Sequence, residues 1–121
     1  SLDTDRNIFA KMLYDDGKIC DVEYQIYMKW FDEFKKDFPD EMIIYVKTTP
    51  DVAYCRVGTR GRKGENIPIE YMEKCHEYHE QWICNIQSSS VCELDGNIDI
   101  IETPDMLISW KKTIDEFLFI N

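Results

Sequence analysis

The fold is decided by one stretch of the chain, Met42-Ile43-Ile44-Tyr45-Val46-Lys47-Thr48-Thr49-Pro50-Asp51. Residues 42–46 are apolar and rich in β-branched and aromatic side chains, a pattern typical of a strand covered on both faces in a parallel sheet. Thr49 then supplies a helix cap, Pro50 the first helical position and Asp51 an acid in the first turn, which predicts a helix from Pro50 towards Thr59. A strand leading into a helix is the unit from which parallel sheets are built.

Two helices are predicted before this unit, because apolar residues recur at three- and four-residue steps. The first runs from Thr4 to Leu13. The second has Asp21 as its N-cap and ends at Phe38-Pro39. Its aromatic face is wide enough to be buried on more than one side.

The second half of the chain repeats the alternation of helix and strand. Pro68 opens a helix that the polar run Ser88-Ser89-Ser90 closes, Asn97–Ile101 is predicted as a second strand, and Met106–Phe119 as a terminal helix. This order predicts an α/β protein with a parallel sheet and helices on both faces. Two strands cannot cover so many helices, so either a partner supplies strands or the chain is part of a larger domain.

Composition limits the possible functions. The chain has 121 residues, a formal net charge of -10 and 44% hydrophobic residues, which suits one globular domain or less. The negative charge disfavours nucleic acid polymers and anionic membranes as partners. The five cysteines form no Cys-x-x-Cys pair, and His76 and His79 match no zinc-motif spacing, so we expect no metal site. No apolar run or leader predicts a membrane span or secretion.

Three arginines stand out against this acidic background. Arg56 and Arg60 are four residues apart on the predicted helix, and the glycine-bearing loop beyond it would let Arg62 reach the same point. Converging guanidinium groups are typical of a phosphate-binding site. The simpler interpretation is a solvated helix end followed by a turn.

Four blocks of sequence, in order, resemble the C-terminal half of deoxynucleoside kinases of the deoxycytidine, deoxyguanosine and mitochondrial thymidine kinase type. They are Ser1–Ala10, Glu23–Trp30, Arg60–Lys74 and His76–Trp82. The resemblance implies a phosphate-loop (P-loop) kinase fold, with a five-stranded parallel sheet and helices on both faces. It also implies transfer of the γ-phosphate of ATP, or another nucleoside triphosphate with Mg²⁺, to the 5′-hydroxyl of a deoxynucleoside in nucleotide salvage. Residues 1–121 would be the C-terminal part of one kinase domain, with its lid at residues 56–67.

The resemblance also implies a role for particular residues of the lid. Arg56, Arg60 and Arg62 match the lid arginines that close over the triphosphate, which makes them the catalytic candidates. Glu65 matches the lid glutamate that binds the sugar 3′-hydroxyl. Each has a structural alternative, since an isolated Glu65 would ordinarily be solvated.

Further residues match the base-binding regions of the family. Asp5 matches an acid near the substrate base, and Phe9 matches the aromatic residue that stacks on it. The loop Glu102-Thr103-Pro104-Asp105 matches the segment that contacts the adenine of the donor. Alone, Asp5 would be interpreted as a helix-dipole acid and Phe9 as core.

The sequence departs from the family in one large respect, because it contains no Gly-x-x-x-x-Gly-Lys-Ser/Thr phosphate loop. The N-terminal strands and that loop would precede Ser1. We therefore expect ATP and Mg²⁺ to be bound mainly by that N-terminal half, and the fragment alone to be inactive. The alternative is a non-catalytic remnant that acts as a nucleotide-binding or kinase-assembly module. The resemblance further implies a homodimer formed through helix packing. It implies an intracellular, cytoplasmic location, and mitochondrial targeting stays open.

Overall fold

The computed structural model describes residues 1–39 and 41–120, the last of them through its backbone alone. Strands β1 (Ile43–Lys47) and β2 (Val91–Asp95) form a parallel sheet in which Ile43 pairs with Val91 and Lys47 with Asp95. Helices surround the sheet: α1, which joins Leu2–Thr4, Asp5–Ala10 and Lys11–Asp15, then α2 (Asp21–Lys35), α3 (Pro50–Arg60), α4 (Ile69–Cys84) and α5 (Asp105–Ile120). The predicted α/β class with a parallel sheet is confirmed.

The second strand lies earlier than the sequence predicted. It spans Val91–Asp95 rather than Asn97–Ile101, and Ser88–Ser90 forms a 3₁₀ turn that leads into it. Cys92 and Leu94 alternate with exposed residues and are each 5% exposed, the period of two expected of a strand. In the predicted segment the Asp99 carboxylate instead accepts a bond from the Ile101 N–H at 2.8 Å. Such local bonds stabilise turns at the expense of strands.

Helix α1 contains a π-helical turn over Asp5–Ala10. Within it Asn7 Nδ2 donates to the Asp3 carbonyl oxygen at 2.8 Å. Ile8, at the centre of the turn, is completely buried. π-Turns concentrate at functional sites, and both base-binding candidates, Asp5 and Phe9, lie in this one.

Strand β1 is covered on one face, where the sequence predicted two. Helix α4 lies over Tyr45 and Lys47, which both donate to Glu80, at 3.0 and 2.5 Å. Burial opposes ionisation of Glu80, but these two bonds hold its pKa below the usual range. On the other face Ile44 and Val46 remain 44% and 46% exposed. Alternation, rather than a continuous buried run, therefore describes this strand in the described part of the chain.

The helix ends follow local chemistry. Thr49 is the extended N-cap residue of α3 with Pro50 behind it, and Gly61, at φ 58°, ends the helix as its N–H donates to the Val57 carbonyl oxygen at 3.2 Å. Helix α2 is capped by Cys20 rather than by Asp21, because the Glu23 carboxylate accepts the Cys20 N–H at 2.8 Å.

The buried core is small and lies where α1, α2 and β2 contribute one or more side chains each. Its members are Ile8, Ala10, Met12, Phe31, Cys92 and Leu94. By contrast, α2 exposes a row of apolar side chains at four-residue intervals: Val22, Ile26, Trp30, Phe34 and, just past the helix, Phe38. No helix among the described residues combines the length and the apolar character needed to cross a membrane.

Candidate functional site

The arginine-bearing end of α3 borders an open cavity of about 610 Å³. Arg56 and Arg60 line one side of it, as the four-residue spacing predicted. The opposite side is formed by the segment that follows β2 and by Trp110 of α5. The cavity thus combines a cationic rim with a largely apolar wall, which suits a ligand that carries both an aromatic ring and an anionic group. We call it the arginine cavity.

Arg56 is fully engaged with the backbone of that segment. Its guanidinium donates to the carbonyl oxygens of Gly96 at 2.5 Å, Asn97 at 3.2 Å and Ile98 at 3.3 Å. Carbonyl groups offer Arg56 partial negative charge, so the side chain is held in place without a carboxylate partner. Arg56 therefore fixes the far wall of the cavity as well as lining it.

Arg60 is paired with the glutamate of the following loop. Its Nη2 lies 2.5 Å from Glu65 Oε1, and the two side chains are 43% and 21% exposed. The second carboxylate oxygen, Glu65 Oε2, is buried and has no hydrogen-bond partner among the described residues. A buried acceptor without a partner costs free energy, so this oxygen is available to a donor from a ligand.

Arg62 does not join the other two arginines. It lines a smaller cavity of about 210 Å³ together with Glu65 and Ile67, on the other side of the Arg60–Glu65 pair. The Glu65 N–H donates to the Arg62 carbonyl oxygen at 3.1 Å, which closes a turn with Gly64 at φ 82°. Glu65 is thus the residue that links the two arginine-bearing cavities.

Asp5 and Phe9 line different cavities. Asp5 Oδ2 accepts a hydrogen bond from Tyr27 O–H at 2.5 Å, inside an aromatic groove of about 450 Å³ lined by Trp30 and Phe34 of α2. Burial, and then the bond to Asp5, raise the pKa of Tyr27 well above its ordinary value. Tyr27 is therefore a neutral donor to the carboxylate near pH 7.

Phe9 lines a separate cavity of about 340 Å³ between β1, α3 and α4, and is 40% exposed. Tyr71 and Cys75 lie on the α4 side of this cavity. Burial raises the pKa of both, so they are uncharged near pH 7. An aromatic face in a mostly apolar cavity is suited to stacking on a planar ring.

The predicted donor loop lies outside the arginine cavity. Glu102, Thr103 and Pro104 are exposed, and Asp105 begins α5. The cavity is lined instead by Ile98 and Ile100, which the sequence analysis had put in a strand, and by Trp110. The turn-forming residues Asn97 and Asp99 were the available signal that this segment is a loop.

The electrostatics of the arginine cavity are mixed. Asp99 also lines it, opposite Arg56 and Arg60, so the rim is cationic on one side only. Among residues 1–39 and 41–120 no group of three or more His, Cys, Asp or Glu side chains is placed to hold a metal ion.

Comparison with known proteins identifies the family of the chain. The family model described as deoxynucleoside kinase matches residues 1–118. A Fowlpox virus protein named probable deoxycytidine kinase is 36% identical, over 98% of this chain and 53% of its own length. Rat deoxycytidine kinase is 33% identical over 98% of this chain and 50% of its own. Human mitochondrial thymidine kinase 2 is 37% identical over 69% of this chain and 32% of its own.

The chain spans about half the length of the deoxycytidine kinase relatives that it matches. A parallel sheet flanked by helices is consistent with part of an α/β P-loop kinase fold. Because the family model covers nearly every residue, the match does not depend on the lid alone. The chain therefore belongs to the deoxynucleoside kinase family.

Proposed function

We propose that this chain is the C-terminal part, residues 1–121, of a deoxynucleoside kinase domain. The domain transfers the γ-phosphate of ATP or another nucleoside triphosphate to the 5′-hydroxyl of a deoxynucleoside in nucleotide salvage. The observation that carries the proposal is the arrangement at the end of α3. There, Arg56 and Arg60 border a cavity with an apolar wall, and Glu65 offers an unpartnered oxygen beside them. Membership of the deoxynucleoside kinase family is the reason for proposing phosphate transfer at this arrangement.

The donor nucleotide occupies the arginine cavity in this proposal. Ile98, Ile100 and Trp110 provide the apolar surface for its base, and Arg60 faces its phosphates. An arginine aimed at a transferring phosphate stabilises the charge that develops there. Arg56 acts at the junction of base and phosphate. Glu102–Asp105 do not line this cavity, and their contact with the donor adenine stays a prediction. The Mg²⁺ that accompanies the donor is held outside the described residues.

Glu65 and Phe9 receive the deoxynucleoside in the same proposal. The free Oε2 of Glu65 accepts the sugar 3′-hydroxyl, which would satisfy a buried oxygen that otherwise has no partner. Phe9 stacks on the base from its mostly apolar cavity. Arg62 closes from the other side of Glu65. Asp5 would act near the base only after its bond from Tyr27 is exchanged, so its contribution is through that pair.

The expected test result is activity in a chimera and none in the isolated chain. The amino-terminal half of the Fowlpox virus relative, which we expect to carry the phosphate loop, is joined before Ser1, and each of the four deoxynucleosides is assayed with ATP and Mg²⁺. We expect phosphorylation by the chimera at least 10²-fold above that of the 121-residue chain, because positioning and charge neutralisation need both halves. A chimera that folds by circular dichroism but transfers no phosphate contradicts the kinase proposal and favours a binding or assembly role.

We also propose that two copies of the chain associate through α2. Its row of exposed apolar side chains includes Ile26, Trp30 and Phe34, which are 52%, 60% and 56% exposed. Trp30 and Phe34 stack with ring centroids 5.7 Å apart, so they present one continuous surface. Exposed apolar surface of this kind is typical of a protein interface.

A charge on this surface is expected to separate the two copies. Trp30→Glu places an ionised carboxylate in the interface, and we expect it to weaken self-association at least 10-fold. Sedimentation velocity measures the change, and Ile108→Glu on α5, at a residue 71% exposed, is the control. A wild-type chain that sediments as a monomer of 14.4 kDa at high concentration contradicts the dimer.

The proposal includes an intracellular location, since salvage substrates and ATP meet inside the cell. Cytoplasm is the first compartment that we propose. The similarity to a relative named mitochondrial makes mitochondria the second.

A further inference from the structure

The turn after β2 is fastened to the beginning of α3 by a single side chain, that of Asn97. Asn97 Oδ1 accepts hydrogen bonds from both the backbone N–H and the hydroxyl of Thr49, at 2.9 and 3.2 Å. Thr49 is the N-cap residue of α3, and its hydroxyl makes no capping bond to the backbone of that helix. Its side chain bonds instead to Asn97 Oδ1 and to the Asp51 side chain, where the bond helps to lower the pKa of the Asp51 carboxyl.

Backbone contacts hold the same turn from two more directions. The Gly96 N–H donates to the Lys47 carbonyl oxygen at 2.7 Å, which continues the contact between the ends of the strands. A Cβ at Gly96 would lie 2.3 Å from Thr48 Oγ1 and 2.8 Å from the Lys47 carbonyl oxygen, so backbone approaches backbone closely here. The Asn97 N–H donates to Asp95 Oδ1 at 2.9 Å.

Arg56 completes this junction from the middle of α3, through its bonds to the carbonyl oxygens of Gly96, Asn97 and Ile98. These oxygens converge on the guanidinium only while the turn keeps its shape. Asn97 and Arg56 thus hold one turn from the start and from the middle of the same helix. Ile98, which lines the arginine cavity, follows directly on the residue that Asn97 anchors.

We propose that Asn97 is a positioning residue for nucleotide binding in the arginine cavity. Asn97 fixes the turn against α3. The fixed turn then holds the Arg56 side chain and places Ile98 where the ligand binds. The inference rests on the proposed function for the identity of that ligand, an adenine nucleotide. Asn97 does not line the cavity itself, so its effect is transmitted through its neighbours.

The chemistry needed at position 97 is that of an acceptor oxygen. Both bonds from Thr49 end on Oδ1, and Asn97 Nδ2 makes no hydrogen bond to any described residue. An aspartate at this position retains the oxygen, whereas an alanine leaves the Thr49 N–H and hydroxyl without it. Comparing Asn97→Asp with Asn97→Ala therefore distinguishes the effect of losing the acceptor oxygen from the effect of changing the residue.

The test measures backbone exchange in the 121-residue chain and nucleotide binding in the chimera that carries the phosphate loop. In Asn97→Ala we expect amide hydrogen exchange across residues 96–101 to accelerate about 10-fold, because local opening follows loss of the anchoring bonds. Affinity for ATP, measured by calorimetry at 0.15 M salt, should fall about 10-fold. Asn97→Asp should restore exchange to within about threefold of the wild type. Its added charge weakens ATP binding slightly through repulsion of the phosphates.

Asn85→Ala is the matched control, since Asn85 also makes one side-chain link, its Nδ2 donating to the Gln81 carbonyl oxygen at 2.7 Å at the end of α4. It should leave exchange at 96–101 and ATP affinity unchanged. If Asn97→Ala leaves exchange at 96–101 unchanged, or if Asn97→Asp fails to restore it, the positioning role is overturned. If exchange responds as expected but the wild type binds no ATP, the anchor stands and the proposed donor site fails.

Discussion

Replacing Arg60 with glutamine in the active chimera is expected to lower the rate of phosphate transfer by about 10³-fold. Arg60 also lines the cavity, and among the described residues its one side-chain partner is Glu65, whereas Arg56 donates to backbone carbonyl oxygens. An arginine that neutralises charge on the transferring group typically contributes this much to the rate. Steady-state kinetics with varied ATP measure kcat and KM separately.

The control for this substitution is Lys63→Gln, which removes the same charge from the same loop. If any positive charge near the lid were sufficient for catalysis, both variants would lose activity equally. We expect Lys63→Gln to stay within about threefold of the wild type, because an exposed and unpositioned cation acts only through a screened field. Equal losses in the two variants would remove Arg60 from the catalytic machinery.

Replacing Ile8 with alanine is expected to lower the free energy of unfolding by about 2–5 kcal/mol. Ile8 is completely buried at the centre of the π-turn, so truncation leaves a cavity in a small core. Urea denaturation followed by circular dichroism measures the loss. Small domains have little stability to spare, and the variant is expected to be partly unfolded at 37 °C.

Ile108→Ala on α5 is the matched control for the core substitution. Ile108 is 71% exposed, so the same truncation should change the free energy of unfolding by less than about 0.5 kcal/mol. A loss in Ile8→Ala no larger than that of the control would mean that α1 does not belong to the cooperative core.

The sequence predicted the helices well because their signals are local. Pro50 at the start of α3 and apolar spacing in α2 and α5 need no knowledge of distant residues. The second strand was misplaced because Asn97–Ile101 and Val91–Asp95 are both short segments with apolar residues. The two segments differ in which one pairs with β1, and that pairing depends on tertiary structure rather than on local sequence.

The candidate site could likewise be predicted from the sequence only in part. That Arg56 and Arg60 share a cavity follows from helical spacing. The separation of Arg62 depends on the turn at Gly64, whose shape the sequence does not fix. Asp5 and Phe9 line different cavities because α1 packs against both α2 and α4, a set of contacts between distant segments that the local sequence does not show. Roles that the family resemblance implied for these residues stay predictions.

The parallel pairing of β1 with β2 has a consequence for synthesis of the chain. The two strands are separated by all of α3 and α4, so β1 leaves the ribosome well before its partner. At ordinary translation speed the delay is roughly 2–10 s. Throughout it, the edge that pairs with β2 has no partner from this sheet, and Ile44 and Val46 are exposed even in the finished fold. Protection of the nascent strand therefore depends on how early α4 settles on Tyr45 and Lys47.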